Sequence, residues 1–334
     1  MEFDKMYDII AYCEDYESVW DKFVMEDSIN GTFLQTRRFL NYHPAGRFQD
    51  ASLLIYDKGK IVAVCPACVV MEDKKKVFFS HKGSTFGGLI INRKYYHAEK
   101  VLQVIELLDD YLQNYGYGKC VLKITPDLFA RESNSLFQYC LQNRNYQSYM
   151  ELNTYIDLDS ISGSVLDCFD RNKKRNIEKC ENHALTFRRL TADREIEDFY
   201  RLLTKNLEKY SLKPIHTVEE IKDFKNNRLT NETEFYGVFR DAEQVAGGML
   251  FVFSQTNTIH AQNLSADYTF TEYSPITYLY YKVIERAKMD GYSKLSWGIS
   301  TENQGKDLNL SLVRNKESYG SKYSLNTVYY KIYK

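Results

Sequence analysis

Hydrophobic positions recur at Ile276, Leu279, Tyr280, Val283, Ile284 and Ala287, the i, i+3, i+4, i+7 stripe of an amphipathic helix. Ser274 stands where a cap belongs, Pro275 suits the first helical position, and Gly291 marks the end. Around this helix the pattern predicts strands over 186–190, 234–240, 244–253 and 258–264, helices over 195–210 and 218–228, then strand 294–299, helix 308–318 and strand 323–333. The first half reads more loosely. Helices are expected over 14–27 and 37–42, a hairpin over 52–56 and 60–71, and extended chain over 76–91. A helix over 96–114, strand 119–125, helix 133–143 and strand 149–158 follow.

The two halves share short matches in one order. Asp57-Lys58-Gly59-Lys60-Ile61-Val62-Ala63 has a counterpart in Asp241-Ala242-Glu243-Gln244-Val245-Ala246-Gly247. Gly116-Tyr117-Gly118-Lys119 returns as Gly291-Tyr292-Ser293-Lys294, and Leu152-Asn153-Thr154 as Leu325-Asn326-Thr327. Matches that keep their order read as a diverged duplication. A length of 334 residues is also more than one core comfortably fills, so two domains are expected, over 1–152 and 153–334. Together these predict a mixed α/β architecture.

Composition narrows the function. A net charge of -1 gives no global field for nucleic acid. No apolar run reaches the length of a membrane span. Seven cysteines, an odd number placed in predicted helices and strands, suit a reducing compartment rather than a disulfide framework. Met1 to Lys5 lack the pattern of an export leader, so a cytoplasmic location is expected.

The order β-α-α-β-β-β-α-β-α-β in the second half is similar to that of the GNAT acyltransferase fold. Several stretches resemble its double-domain branch, the Fem-type aminoacyltransferases and their acyl-CoA-using relatives. They are Thr32-Phe33-Leu34-Gln35-Thr36, Ala63-Val64-Cys65-Pro66-Ala67, Phe86-Gly87-Gly88, the linker Arg171-Asn172-Lys173-Lys174-Arg175, Ser274-Pro275, Trp297-Gly298-Ile299-Ser300 and Lys316-Glu317-Ser318-Tyr319-Gly320. The resemblance implies two tandem GNAT-like domains, the first serving the acceptor and the second the acyl donor. The sequence departs from the family in two places. Tyr268 to Pro275 contains no glycine where simple acetyltransferases carry a pyrophosphate loop, and the stretch from Tyr210 to Thr217 is too short for the helical arm of some Fem-type enzymes.

On this resemblance the catalytic candidates are His260, Lys316 and Tyr319. His260 lies on a predicted strand whose alternation groups it with Gln262 and Leu264; its imidazole could take the proton of an attacking amine. Lys316 could stabilise an oxyanion, and Tyr319 could protonate a leaving group. Ser274, Ile276, Trp297, Ser300 and Asn303 are candidates for the donor. Arg171 and Arg175, one helical turn apart, are candidates for an acceptor's phosphates with Arg37 and Arg38, and Gln262 for the acceptor itself. Cys65-Pro66-Ala67-Cys68 lies inside an apolar strand run and is read as structural; no metal is expected. His81 to Gly88 is read as a loop lining a groove.

The expected activity is transfer of an acyl group, with acyl-CoA as co-substrate, to an amine of a sugar, nucleotide-linked sugar or peptide precursor. Two alternatives are a Fem-type transferase that takes its acyl group from transfer RNA, and a non-catalytic ligand-binding module of the same fold.

Overall fold

The computed structural model describes residues 7–44, 46–209 and 211–334. Residues 1–5, on which the absence of a leader was read, and Tyr210, the expected end of a helix, lie outside them. The chain divides into two compact units. One runs to Glu151 and also contains Leu325–Lys334; the other is Leu152–Ser324. The chain passes from one to the other inside strands Gln147–Asp157 and Lys322–Ile332, the two strands that carry the repeated Leu-Asn-Thr. The last ten residues, placed in the second half by the repeat, therefore complete the first unit.

In the second unit strands follow the order Thr186–Arg189, Thr233–Arg240, Glu243–Phe253, Thr258–Ala266, Lys294–Ile299 and residues 153–157. All neighbours are antiparallel except Thr258–Ala266 and Lys294–Ile299. Helix Pro275–Met289 joins those two strands, as a parallel connection requires. Its stripe buries Leu279, Val283, Ile284 and Ala287 against Val245, Leu250, Ile259 and Leu295 of the sheet. Helix Asp193–Glu208 buries Ile196, Phe199, Leu202 and Leu203. Ser274 is the cap residue but caps with no side-chain bond, because it takes the left-handed conformation, φ +53.

The parallel pair holds for three residues only, Thr258↔Lys294, Ile259↔Leu295 and His260↔Ser296. Beyond them residues 261–266 stay with Glu243–Phe253, while Gly298 and Ile299 stay with Thr154 and Asn153. Both departing strands slip register at the parting, the first at Gln262 and the second at Trp297. An extra residue bends and twists a strand, so two bulges at one level open a V in the sheet. The slip at Gln262 also breaks the alternation expected to group His260, Gln262 and Leu264.

The first unit holds the corresponding parallel pair, Lys75–Ser80 with Tyr117–Lys123, zipped from Lys76↔Tyr117 to Ser80↔Leu122. The segment His81 to Gly88, expected to line a groove, instead fills the space beyond. Gly87 bridges Ile124 and its N–H donates to Lys123 O at 2.7 Å, while Gln35 Nε2 donates to Gly87 O at 3.1 Å. A side chain at Gly87 would start 2.8 Å from His81 N, so only glycine permits this closure. Leu53–Asp57 and Lys60–Cys65, Tyr7–Ala11 and Ile90–Ile91 form a separate four-stranded sheet. Pro66 ends the run expected to continue to residue 71, and a new strand begins at Cys68. All seven cysteines are free thiols; Cys65 is buried, which pushes its thiol up to about 12.

Candidate functional site

Two cavities of the second unit meet at the V. The first, 290 Å³, is lined by Ala261 to Leu264 on one strand, Trp297 and Ile299 on the other, and by Leu203, Leu312 and Lys316. The second, 350 Å³, lies over the start of helix Pro275–Met289 and is lined by Asp267, Tyr268, Ser274, Ile276 and Thr277 among others. Asn206, Leu264 and Tyr280 border both, so the cavities form one groove. Tyr280 stacks on Tyr319 with ring centroids 4.9 Å apart and leans on Trp297 at 4.7 Å, giving the groove a rigid aromatic wall. Two polar atoms on this wall, Trp297 Nε1 and Asn206 Oδ1, are buried without a hydrogen-bond partner among the described residues. A buried donor and acceptor left unpaired cost free energy, and a ligand that pairs them removes that cost.

Lys316 is 3% exposed, and its Nζ donates to Gly298 O at 3.0 Å, Ile299 O at 3.0 Å and Ser300 Oγ at 2.9 Å. The three bonds use all three ammonium hydrogens and pin the strand end that forms one lip of the V. Burial brings its pKa down to about 8, so the ammonium form still prevails at neutral pH. His260 is the last residue of the parallel pair on its strand, and its Nδ1 lies 3.0 Å from Ser296 Oγ. Burial, aided by the Lys316 charge, lowers its pKa to about 4, so the imidazole is neutral near pH 7. Ala261 and Trp297 line the cavity while His260 and Ser296, one residue earlier on each strand, do not. Successive strand side chains alternate faces, so His260 approaches the vertex from the side opposite the cavity.

Of the donor candidates, Ser274 and Ile276 line the cavity over the helix start and Trp297 the one at the V. Ser300 is buried and held by Lys316, with its N–H donating to Leu152 O at 2.8 Å. Asn303 lies on an exposed turn, bonded to Asp307, and lines neither cavity. Tyr319, expected to donate a proton, is 1% exposed, its ring enclosed by Tyr280 and Phe169 with Lys173 Nζ 4.6 Å from the centroid. Burial keeps its phenol protonated far above neutral pH. Gln262 lines the cavity as the bulge residue of its strand.

Arg171 and Arg175 are exposed on helix Arg171–Asn182, capped by Asp170, and make no ion pair among the described residues. Arg37, expected to bind a phosphate, is buried in the first unit. Its guanidinium donates to Ser52 Oγ at 3.0 Å, Asn41 Oδ1 at 3.0 Å and Asp50, over the Tyr12 ring at 3.8 Å. Arg38 lies beside it, its N–H donating to Asp21 Oδ2 at 3.1 Å. Among the described residues no group of three or more potential metal ligands is present, and no helix is long and apolar enough to cross a membrane. Sequence reasoning did not single out Asn206, Ser296 or Asn153. Asn206 lies on a predicted helix without any motif.

Residues 169–304 match the family described as an acetyltransferase (GNAT) domain. No curated protein matches the chain by sequence. Among solved structures, FemX aligns at 11% identity with a TM-score of 0.70, covering 98% of this chain and 97% of that one. The structure titled L-PGS, from Bacillus licheniformis, aligns at 13% identity with a TM-score of 0.56, covering 81% of each chain. A tandem GNAT protein from the clavulanic acid biosynthesis pathway aligns at 8% identity with a TM-score of 0.53, covering 98% of each. Such identities speak for the fold, and the domain match covers the strands that part at the V. The chain thus has the tandem fold of FemX over 98% of its length and matches an acetyltransferase (GNAT) domain over residues 169–304.

Proposed function

We propose that the unit Leu152–Ser324 holds the acyl donor with its carbonyl at the vertex of the V, and transfers the acyl group from acyl-CoA to an amine. The amine belongs to a sugar, nucleotide-linked sugar or peptide precursor, and the first unit serves this acceptor. One observation carries the reading: the parallel pair parts into a groove whose wall holds an unpaired indole N–H and an unpaired amide oxygen. In the first unit the corresponding space is filled by its own chain. As the amine attacks, the C–N bond forms and the bond to the leaving sulfur breaks, while His260 accepts the amine proton. Positioning by the groove and dipoles at the vertex supply the remaining acceleration.

The donor's distal end supports a second reading, in which an aminoacyl ester of transfer RNA replaces the thioester. Pro275 offers no N–H, and the amides of Thr277 and Tyr278 already donate to Ser274 O. Asp267, whose carboxyl is held down to about 2 despite its partial burial, by bonds from Lys205 and Thr269, lines the same cavity. A pyrophosphate finds few donors there and meets a carboxylate. Thermal-shift and turnover assays separate the readings. Acyl-CoA at 100 times its Kd should stabilise the protein by about 2.7 kcal/mol and support amide formation. Turnover with aminoacyl-tRNA and no shift with any coenzyme A ester would establish the second reading instead.

Replacing Arg171 and Arg175 together by Ala is expected to raise the KM for a phosphorylated acceptor about tenfold or more with kcat little changed, because charge-assisted bonds to phosphate contribute to binding in ground and transition states alike. Initial-rate kinetics over a range of acceptor concentrations read this directly, and an unaltered KM would remove the two arginines from the site.

A further inference from the structure

Ser296 is wholly buried and has one hydroxyl hydrogen and two lone pairs to place. Its hydrogen goes to Asn153 Oδ1 at 3.2 Å, an atom that can only accept. In this orientation of the Asn153 amide, Nδ2 lies on the other side, 2.8 Å from Ser324 Oγ, which can accept from it. One Ser296 lone pair receives the N–H of Gly298 at 3.3 Å. What remains is a single lone pair, 3.0 Å from His260 Nδ1. With the Asn153 oxygen taking the Ser296 hydrogen, that contact closes with Nδ1 carrying the proton.

We propose that Ser296 and Asn153 are positioning residues that hold His260 as the Nδ1–H tautomer, with the lone pair on Nε2 ready to take a proton. The proposal rests on reading His260 as the proton acceptor of the transfer. A neutral imidazole has one N–H, so fixing it on Nδ1 assigns Nε2 as the basic atom. Burial of the ring beside the Lys316 ammonium supports the neutral form. The relay lies where the reaction needs it, because His260 and Ser296 form the last pair before the strands part. In the transfer the amine gives its proton to Nε2 as the C–N bond forms. The imidazolium then returns that proton to the leaving thiolate or alkoxide as its bond to the acyl carbon breaks.

Protein labelled with ¹⁵N-histidine tests the relay without any substrate. The His260 signals, assigned by their loss in His260→Gln, should show a protonated Nδ1 and an unprotonated Nε2 at pH 7. Ser296→Ala, which keeps the size and removes every bond, should move the signals toward the Nε2–H form. It should also lower kcat about tenfold to a hundredfold with KM within about twofold, using whichever donor proves active above. Ser296→Thr retains the hydroxyl and should restore both tautomer and rate; Asn153→Leu, which takes away the acceptor of the Ser296 hydrogen, should reproduce the Ala effect in part. A protonated Nε2 in the native protein, or signals unmoved in Ser296→Ala, would overturn the relay. Full turnover by His260→Gln would instead overturn the proton-acceptor reading, and the tautomer measurement would still decide the relay.

Discussion

Between pH 6.5 and pH 4 the protein is expected to lose about 3 kcal/mol of stability through His81, and a further amount through His260, whose pKa is lowered alike. His81 is 4% exposed, its ring 5.3 Å from that of Phe48 and 6.3 Å from that of His43. Burial lowers its pKa to about 4; Asp50 opposes this, while His43, Arg37 and Lys123 assist it. In the unfolded chain the same imidazole takes its proton near pH 6.5. Between those values the unfolded state binds more protons than the folded one, so stability falls as pH falls, and above about pH 6.5 the contribution is fully present. Asp21 and Glu151, whose pKa values burial raises, act in the opposite direction at the acid end. Urea unfolding of native protein and His81→Gln at pH 7.5, 6 and 4.5 isolates the histidine. The native midpoint should drop more steeply than that of the variant, and parallel curves would show that His81 titrates alike in both states.

The groove was legible in the sequence where a local rule and the tertiary fold agree. The stripe from Ile276 to Ala287 with Pro275 at its head predicts helix Pro275–Met289, and strand Lys294–Ile299 is predicted to the residue. Both elements are amphipathic or bounded by glycine, signals that a single chain carries openly. What the sequence could not carry was register. The bulges at Gln262 and Trp297 open the V, yet nothing in either strand's composition distinguishes an extra residue from an alternating one. The relay was hidden for the same reason: a serine inside a strand reads as weak strand former until its neighbours across the ladder are known. Asn153 had one signal, its place in the repeated Leu-Asn-Thr. The plug His81 to Gly88 was read as a lining loop because its glycines permit either arrangement; the closing bonds come from Gln35 and Lys123, far away in sequence.

Asp109→Ala is expected to destabilise the protein by about 3 to 5 kcal/mol, because it breaks a buried ion pair by removing one partner. Asp109 is 5% exposed on helix Ala98–Asn114, where Tyr146 and Tyr333 each donate a hydroxyl at 2.7 Å and Lys331 Nζ donates at 2.6 Å. Two of the three donors belong to the last ten residues, which pair antiparallel with strand Tyr117–Lys123 and complete the first unit. That strand end would otherwise be held by its ladder and by apolar contacts of Tyr329 and Tyr333 with the core of the unit. Alanine leaves an ammonium and two phenols without their acceptor, in a place where water reaches only in part. Asp109→Asn preserves the size and one acceptor oxygen but not the charge, so its cost should fall between those of the native protein and the alanine variant. Urea unfolding followed by tyrosine fluorescence measures both, and amide exchange of residues 325–333 should accelerate in step with the loss. A cost below about 1 kcal/mol for Asp109→Ala would mean that the ladder alone retains the strand, and that the carboxylate merely neutralises Lys331.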